Sequence, residues 1–295
     1  MLQKMSGARF IADTLHGYGV THVFFVEAIL RRTLMELESL GVRRVLTHSE
    51  KAAAYMADGY ARAGRKPGVC MAQAVGAANL ASGLQEPLLG RAPVIAFTGR
   101  AALQAQHRHA YQEIPHAPLF AAVTKSSVEV TALEQLPRLL RQAFRDATSG
   151  MPGPAHLDLL GHQAQAIENP EAELELLVEP AHARIPAYRP APEIEAVRQA
   201  AAALARAERP VIVAGGGVTT SSAGAEVVAL AERLQIPVAT SLNGKESLLE
   251  THPLNVGLVG RYSRWCANRV VSEADLVCYI GSSTGEMVTN GWTVP

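Results

Sequence analysis

The hydrophobic positions in the first part of the chain fall into short runs that alternate with helical patterns. Most of these runs are predominantly apolar and are bounded by polar or turn-forming residues, as is typical of strands in a buried parallel sheet. The runs predict strands at 22–26, 43–47, 68–72, 93–99 and 154–160. The stretches between them predict helices near 5–17, 28–39, 50–63, 76–89 and 132–147. This alternation predicts a doubly wound α/β domain over residues 1–165, with helices on both faces of a parallel sheet.

A proline-rich stretch separates this pattern from a second one. Residues 166–192 contain an acidic run followed by four prolines, which remove backbone donors and restrict their neighbours, so they predict an extended linker. Beyond it, predicted helices at 193–207, 222–234 and 264–273 alternate with predicted strands at 210–216, 236–240 and 275–281. At most three strands would give a second doubly wound domain over 193–295 only a small core. We therefore expect this domain to be incomplete and the chain to be a fragment or one part of a split enzyme.

The composition is that of a globular protein, with 48% hydrophobic and 18% charged residues. Lys and Arg number 27, as do Asp and Glu, and no basic cluster occurs, so neither nucleic acid nor a membrane surface is expected as a partner. The N-terminus lacks the apolar region of a signal peptide, and no apolar run approaches the ~18 residues of a membrane span. Cys70 and Cys278 lie in apolar runs and are predicted to be buried thiols. These features predict a cytoplasmic protein.

Three consecutive glycines, Gly215, Gly216 and Gly217, follow a predicted strand and precede a predicted helix. Glycines in that position let backbone amides approach a phosphate, so the run could bind a nucleotide such as FAD, NAD or ADP. The spacing is not G-x-G-x-x-G, and the next strand does not end on the acid that a ribose would require. A tight strand-to-helix turn is the favoured interpretation, and a nucleotide site is the alternative.

A second polar segment, residues 106–116, crowds three histidines and an acid into one stretch. His107 and His109 are two positions apart, which places them on different faces of a helix, and a third metal ligand is not obvious. A polar loop near a ligand pocket is favoured over a metal site. No G-x-S-x-G turn occurs and no cysteine has a basic neighbour in sequence, so nucleophilic catalysis finds little support.

Glu50 follows a predicted strand and opens a predicted helix, with Ser49 in the N-cap position. A carboxylate in the first turn gains about 0.3–1 kcal/mol from the helix dipole, so position alone favours a structural role. The turn QAVGAAN at 73–79 also follows a predicted strand, and the carboxyl ends of parallel strands are where such sheets bind ligands. Position alone does not decide whether Glu50 takes part in chemistry.

Taken in order along the chain, these segments resemble the acetolactate synthase-like family of thiamine-diphosphate-dependent enzymes. THSEKAAAYMADGYARA at 47–63 is similar to the family's R-H-E-x-x-A-x-x-M-A-D-G-Y-A-R, and the stretch at 68–99 is similar to its segment through G-A-T-N. The segment beginning YQE at residue 111 resembles the family's F-Q-E, and GPAHLDL at 153–159 resembles G-P-V-x-L-D. Segments from residue 209 onwards resemble the family's central domain, so the likeness runs the full length of the chain.

The resemblance implies that residues 1–165 bind the aminopyrimidine of thiamine diphosphate and that residues 193–295 form most of the central domain. It also implies roles for four residues: Glu50 would activate the cofactor at N1′ of the aminopyrimidine, Gly76 and Asn79 would lie near the cofactor, and Gln112 would lie near the thiazolium and the substrate. The diphosphate and Mg²⁺ would be held by a further domain with a G-D-G…N motif, which nothing in this chain matches, so this chain contributes no metal ligand. FAD is an additional cofactor in some members.

The expected reaction makes or breaks a carbon–carbon bond next to a carbonyl, with a 2-oxo acid or a related carbonyl compound as the substrate. The complete enzyme would be a lyase or transferase and a homodimer or homotetramer, whereas this chain alone is expected to be inactive. Two alternatives stay open at this point. One is a non-catalytic fragment or paralogue that serves as an assembly module. The other is an oxidoreductase that binds a flavin or nicotinamide nucleotide at the glycine run.

Two loops depart from the family pattern. Where the family has V-F-G-x-P-G, this chain reads VFFVEAI, so Phe25 and Ala28 replace glycines and Glu27 replaces proline. The turn QAVGAAN likewise lacks the first glycine and the proline of S-G-P-G-A-T-N. We expect the three substituted positions to reshape the substrate pocket, so the substrate of acetolactate synthase does not transfer directly.

Overall fold

The computed structural model describes residues 2–27, 29–263 and 265–294 of the chain. The chain divides into two compact units, Met1–Tyr188 and Arg189–Pro295. Each unit contains a parallel sheet with accompanying helices, which confirms the predicted α/β class. Within the described ranges, none of the helices combines the length and apolar character that crossing a membrane requires.

The first unit alternates strands and helices along most of its length. Its strands are β1 (Leu2–Ser6), β2 (His22–Phe25), β3 (Arg43–Leu46), β4 (Gly68–Ala72), β5 (Val94–Arg100), β6 (Ser126–Val130), β7 (Pro154–Leu160) and β8 (Glu171–Glu175). Its helices are α1 (Gly7–Gly17), α2 (Arg31–Ser39), α3 (Glu50–Gly64), α4 (Gly76–Gly90), α5 (His116–Ala121), α6 (Leu136–Thr148) and α7 (Gln165–Glu168). Short 3-10 helices lie at Leu103–Ala105, Leu133–Gln135 and Pro180–Ala183.

The main sheet of this unit has six parallel strands in the order β3-β2-β4-β5-β7-β6. The chain passes from β2 to β3 on one side and then returns to place β4 on the other side of β2. The strand order therefore reverses between β2 and β4. In open α/β sheets, the crevice at the carboxyl ends of the strands at such a reversal is the usual position of a ligand.

Hydrophobic clusters cover both faces of the six-stranded sheet. One cluster packs α1, α2 and α6 on one face and includes Phe144, and the other packs α3, α4 and α5 on the opposite face and includes Phe120. Strand β2 contributes Phe25 to the first cluster and Phe24 to the second, because successive side chains of a strand point to opposite faces. Both faces are thus buried, which explains why the strands read as continuous apolar runs.

The ends of the first unit pair in a way that the sequence pattern did not predict. Strands β1 and β8 form a separate antiparallel pair, with Leu2 opposite Glu175 and Ser6 opposite Glu171. The helix predicted from residue 5 begins at Gly7, because Ser6 caps it by accepting a hydrogen bond from the Arg9 amide at 3.2 Å. Part of the predicted linker 166–192 is therefore folded with the first unit, while the domain bounds at 165 and 193 stay a prediction.

The second unit also alternates strands and helices. Its strands are β9 (Pro210–Ala214), β10 (Val238–Thr240), β11 (Asn255–Leu258) and β12 (Leu276–Ile280). Its helices are α8 (Ile194–Arg206), α9 (Gly216–Thr220), α10 (Gly224–Leu234) and α11 (Trp265–Ser272), and a 3-10 helix spans Leu242–Ser247.

The parallel sheet of the second unit has the order β11-β10-β9-β12, which reverses between β9 and β12. The prediction of at most three strands is wrong, because β11 adds a fourth. This edge strand is half-buried along its length and its pairing shifts register between Val238 and Ala239. An edge strand of this kind lacks the continuous apolar run that marks a central one.

The three cysteines are free and differ in burial. Cys70 is fully buried in β4, as predicted, and burial raises the pKa of its thiol. Cys278 is half-buried, so its predicted burial is wrong: it lies in β12, which pairs with β9 and is an edge strand among the residues that the structure describes. Cys266 is exposed.

Candidate functional site

The Glu50 carboxyl group lies at the carboxyl ends of the strands of the first sheet, at the start of α3. Ser49 caps this helix, because its Oγ accepts a hydrogen bond from the Ala52 amide at 3.2 Å. The Thr47 hydroxyl contacts the Ser49 carbonyl at 2.8 Å and the Phe25 carbonyl at 3.1 Å, and so ties the start of α3 to the end of β2. The backbone that carries Glu50 is therefore fixed at the crevice where the strand order reverses.

The first turn of α4 holds the Glu50 side chain from the other side. The Asn79 side-chain amide donates a hydrogen bond to Glu50 Oε2 at 3.1 Å. Gly76 lies so close that a Cβ added there would stand 2.5 Å from Glu50 Oε1. Further along the same two helices, a Cβ on Gly83 of α4 would stand 2.7 Å from the Cβ of Ala54 in α3. The small residues of α3 and α4 thus allow the close approach that brings Glu50, Gly76 and Asn79 together.

Gln112 is connected to the same turn through Gln73. The Gln73 Nε2 donates to Gln112 Oε1 at 2.9 Å, and Gln112 Nε2 donates to the Tyr111 hydroxyl at 2.9 Å. Gln73 is the first residue after β4, so the amide pair joins the loop after β5 to the turn that precedes α4. Glu113 folds this loop by accepting hydrogen bonds from the backbone amides of His107 at 2.9 Å and Ala110 at 3.3 Å.

In the part of the chain that the structure describes, the histidines of this loop do not converge on a metal site. Within residues 2–27, 29–263 and 265–294, no cluster of three or more His, Cys, Asp or Glu side chains could hold a metal ion. The backbone of His107 and of His109 is left-handed, with φ of 61° and 56°. The interpretation of this segment as a polar loop near a ligand pocket stays a prediction.

The substituted positions after β2 have different surroundings. The Phe25 side chain is 7% exposed and belongs to the cluster under α1, α2 and α6. Glu27 forms a salt bridge with Arg31, 2.7 Å between Oε1 and Nε, and both side chains are 56% exposed. Ala28 lies outside the described residues. A role for these three positions in a substrate pocket stays a prediction.

A buried polar cluster that the sequence analysis missed lies beneath α4 and α5. Thr98 of β5 and Asp158 of β7 are directly opposite in the parallel register, and His156 lies two positions before Asp158 on the same face. The Thr98 hydroxyl contacts Asp158 Oδ1 at 2.8 Å and His156 Nε2 at 2.6 Å. His116 adds a contact of 2.9 Å from Nδ1 to Asp158 Oδ1. Two polar residues spaced by two within the apolar strand run PAHLDLL were the signal that could have revealed it.

His156 is neutral in this cluster. Its pKa is lowered well below the ordinary value, first by burial and second by the positive charge at His116. The Phe120 ring stacks on the His156 ring, with 3.6 Å between centroids and 11° between planes. Burial without charge is the expected state of an imidazole that is covered by an aromatic ring.

The glycine run of the second unit forms a close turn against β12. The amides of Gly215 and Gly217 donate to the carbonyls of Ile280 and Gly281, each at 2.8 Å. A Cβ on Gly215 would stand 2.4 Å from the Gly281 carbonyl oxygen. These contacts support the tight-turn interpretation, since two of the amides that a phosphate would need already have backbone partners. The run nevertheless lies at the carboxyl end of β9, where the order of the second sheet reverses.

Both units match domains of a known protein family. Residues 5–119 match the N-terminal TPP binding domain of thiamine pyrophosphate enzymes, and residues 197–295 match the central domain of the same enzymes. The chain belongs to the thiamine pyrophosphate enzyme family. The resemblance inferred from the sequence is confirmed, and Glu50, Gly76, Asn79 and Gln112 all lie within the region that matches the N-terminal domain.

Curated relatives of this thiamine pyrophosphate enzyme chain include proteins named as acetolactate synthases or as their large subunits. The chain is 36% identical to a probable acetolactate synthase large subunit of Methanocaldococcus jannaschii, over 97% of this chain and 48% of the relative. It is 34% identical to the acetolactate synthase of Arthrospira platensis, over 95% of this chain and 49% of the relative. It is 33% identical to the acetolactate synthase isozyme 1 large subunit of Escherichia coli K12, over 95% and 49%. The chain thus spans about half the length of the curated relatives that it matches.

Proposed function

We propose that this chain supplies the aminopyrimidine-binding part and the central part of a thiamine-diphosphate-dependent enzyme that makes or breaks a carbon–carbon bond next to the carbonyl of a 2-oxo acid. The observation that carries the proposal is the Glu50 carboxylate, held by Asn79 and packed against Gly76 at the reversal point of the first sheet. The names of the relatives support the substrate class, because two of those cited are named as acetolactate synthases or a large subunit of one, and the third as a probable large subunit.

The residues around Glu50 fit an aminopyrimidine. Oε2 accepts the Asn79 amide, whereas Oε1 has no hydrogen-bond donor among the residues that the structure describes. Gly76 leaves the space beside Oε1 free of a side chain. A heteroaromatic ring that presents a ring N–H can therefore reach this oxygen, and the aminopyrimidine offers such a group at N1′.

Thiamine diphosphate, when bound, supplies an acidic thiazolium carbon that carries the carbon–carbon bond chemistry. In this proposal, Glu50 Oε1 holds a hydrogen at N1′ of the aminopyrimidine, which favours the tautomer with a basic nitrogen at position 4′. Asn79 keeps the carboxylate from rotating, since it occupies the other oxygen. Gln112, which accepts a hydrogen bond from Gln73, would lie near the thiazolium and the substrate.

The remaining parts of the enzyme are also proposals. A further domain would hold the diphosphate and Mg²⁺, and the complete enzyme would be a homodimer or homotetramer. Relatives of about twice this length support a further domain. Tyr55 and Met56 on α3 support a partner surface, because their side chains are apolar yet 44% and 45% exposed.

The experiment that tests the function is the Glu50→Gln substitution in the full-length protein, assayed with a panel of short 2-oxo acids. General acid–base steps are worth roughly 10²–10⁴-fold, so turnover is expected to fall by about that factor. Glu226→Gln is the matched control: Glu226 is also an acid in the first turn of an α-helix, and it is exposed in the second unit. Unchanged turnover in Glu50→Gln would remove Glu50 from the mechanism and favour the non-catalytic assembly module.

A nucleotide in the second unit is a second candidate, supported by the position of the glycine run at the reversal point of that sheet. The absorbance spectrum of the purified full-length protein tests it. A flavin band that is released on denaturation would support an FAD-carrying member of the family. A spectrum without one, together with full activity in the absence of added nucleotide, would leave the glycine run as a structural turn.

A further inference from the structure

The buried polar cluster of the first unit continues beyond Asp158 to the backbone of the turn before α4. The Nε2 of His116 contacts the Ala74 carbonyl oxygen at 3.0 Å, while Nδ1 of the same ring contacts Asp158 Oδ1 at 2.9 Å. At the other end of the cluster, Ser127 Oγ contacts His156 Nδ1 at 2.8 Å. The connected groups therefore run from the outermost strand β6 to the turn that follows β4.

One arrangement of hydrogens satisfies all of these contacts. In this arrangement both ring nitrogens of His116 donate to the oxygens that they face, Nδ1 to Asp158 and Nε2 to the Ala74 carbonyl. The Thr98 hydroxyl then donates to Asp158, neutral His156 donates to Thr98 through Nε2, and Ser127 donates to His156 Nδ1. A carboxylate that accepts two hydrogen bonds beside a doubly protonated ring is a charge-assisted pair, which is stronger than a neutral one.

This pair is removed from water. The side chains of Thr98, His116, His156 and Asp158 are between 0% and 3% exposed. Asp158 Oδ2 is buried without a hydrogen-bond partner among the described residues, so the contacts of this carboxyl group with His116 and Thr98 both involve Oδ1. Breaking such a pair on one side is costly, because it leaves a buried charge uncompensated.

The end point of the cluster is the start of α4. Val75 is the N-cap of this helix and provides no side-chain hydrogen bond, unlike Ser49, which caps α3. The Ala74 carbonyl accepts the His116 ring and also the Ala77 amide, the latter at 3.1 Å. The His116 ring therefore holds the beginning of a helix that lacks a capping side chain of its own.

We propose that His116 and Asp158 are positioning residues for the Glu50 site, a proposal that rests on the proposed function for its role in catalysis. They fix the Ala74 carbonyl, and through it the first turn of α4, which presses Gly76 and Asn79 against the Glu50 carboxylate. Neither residue touches Glu50 itself.

A pair of substitutions at His116 separates its two contacts. In His116→Gln the amide nitrogen takes the place of Nε2 and can still donate to Ala74, whereas in His116→Asn it takes the place of Nδ1 and reaches only Asp158. Hydrogen exchange of the amides at the start of α4 is measured in the full-length protein without substrate or cofactor. Exchange is expected to be about tenfold faster in the Asn variant and within about threefold of the natural protein in the Gln variant.

His182 provides the matched control. It is also a buried histidine, 3% exposed, and contacts the Thr148 hydroxyl at 2.8 Å and the Tyr188 hydroxyl at 3.2 Å, away from α4. His182→Gln and His182→Asn are expected to leave exchange in α4 unchanged. The proposal is overturned if Gln and Asn at position 116 act alike, or if the His182 variants speed exchange in α4 as much as His116→Asn does.

A measurement on the natural protein guards against variants that do not fold. In full-length protein with ¹⁵N-labelled histidine, His116 is expected to carry a hydrogen on Nε2, and a ring without one there overturns the contact to Ala74. The link to catalysis has its own readout, the affinity for thiamine diphosphate in the presence of Mg²⁺. It is expected to fall at least about fivefold in His116→Asn and to be retained in His116→Gln, and equal affinities would overturn that link. The exchange and nitrogen measurements need no cofactor, so their failure is distinct from a failure of the Glu50→Gln test.

Discussion

The Asn79 side-chain amide donates to Glu50 Oε2 at 3.1 Å and thereby joins the first turns of two adjacent helices. These helices follow different strands, β3 and β4, so the bond spans the point where the sheet reverses its order. The position of the carboxylate consequently depends on how closely α3 and α4 pack. Substitutions at this contact should change cofactor binding before they change the fold.

Replacing Asn79 by Asp should weaken binding of thiamine diphosphate more than replacing it by Ala. The Asp variant places a second carboxylate at hydrogen-bonding distance from Glu50, and like charges that close repel each other strongly. The Ala variant only removes a hydrogen bond. Calorimetric titration of the full-length protein with thiamine diphosphate and Mg²⁺ measures both affinities. Binding by the Asp variant that equals or exceeds binding by the Ala variant would contradict the contact.

Two glycine-to-alanine substitutions should have opposite effects on the free energy of unfolding. A Cβ at Gly76 would stand 2.5 Å from Glu50 Oε1, so Gly76→Ala must displace the carboxylate or the helix and should cost about 1–3 kcal/mol. Gly59 lies in α3 with nothing within 4 Å of its Cβ position, so Gly59→Ala should stabilise by about 0.5–1 kcal/mol. Urea denaturation measures the free energy of unfolding of both variants. Changes of the same sign would contradict the close contact at Gly76 or the open space at Gly59.

Alkylation should distinguish the three cysteines. Cys266 is exposed, whereas burial raises the pKa of the Cys278 thiol and raises that of Cys70 further. The thiolate is the reactive form, so iodoacetamide at neutral pH should modify Cys266 first, then Cys278, and Cys70 only on unfolding. Mass spectrometry of a time course provides the order. Modification of Cys70 in the folded protein at the rate of Cys266 would contradict the burial of β4.

Glu168 should make stability depend on pH in an unusual direction. Its Oε2 accepts hydrogen bonds from the Thr33 amide at 3.1 Å and the Thr33 hydroxyl at 3.2 Å, and burial raises the pKa of its carboxyl group. The folded protein thus holds this proton more tightly than the unfolded chain, so stability falls as pH rises above the ordinary carboxyl pKa of about 4.3. Glu168→Gln removes this dependence. Urea denaturation between pH 4.5 and about 7 should therefore show that the free energy of unfolding of the variant rises relative to that of the natural protein as pH rises.

Glu179 is the control, because its stability contribution should depend on pH in the opposite direction. It contacts Arg145 through both oxygens, at 2.6 Å and 2.7 Å, and the hydrogen bond from Arg145 lowers the pKa of its carboxyl group. Its contribution is present above the ordinary carboxyl pKa and is lost as pH falls through the lowered value. Glu179→Gln should therefore lose stability relative to the natural protein at neutral pH and regain it in acid. Parallel pH trends for the two variants would refute both assignments.

Elements that are buried on both faces could be read from the sequence, whereas partly exposed or long-range features could not. The strands at 68–72 and 154–160 were predicted with the bounds that the structure has, because each is buried throughout. The pair β1–β8 was missed because its residues are mostly exposed and lie at opposite ends of the unit.

The candidate site also contains residues that the sequence could identify and residues that it could not. Glu50, Gly76 and Asn79 were brought together by the family resemblance, and the structure places them in contact. The contact of His116 with Asp158 joins positions 42 residues apart, and only the register of β5 with β7 and the start of α5 reveals it. Sequence spacing carries no information on such a pair.

The loop between β5 and α5 has a strained backbone, which is held in place by Glu113, the residue after Gln112. His107, His109 and Gln112 all adopt left-handed backbone angles without being glycine, at φ of 61°, 56° and 56°, and each costs about 1–2 kcal/mol. The Glu113 carboxylate opposes this strain by accepting two backbone amides within the loop. The neighbouring side chains thus have separate tasks: Gln112 contacts Gln73 in the turn before α4, and Glu113 binds backbone amides within the loop. Insertions or deletions inside this loop would break the two hydrogen bonds to Glu113. The length of the loop is therefore constrained even though its surface is largely polar.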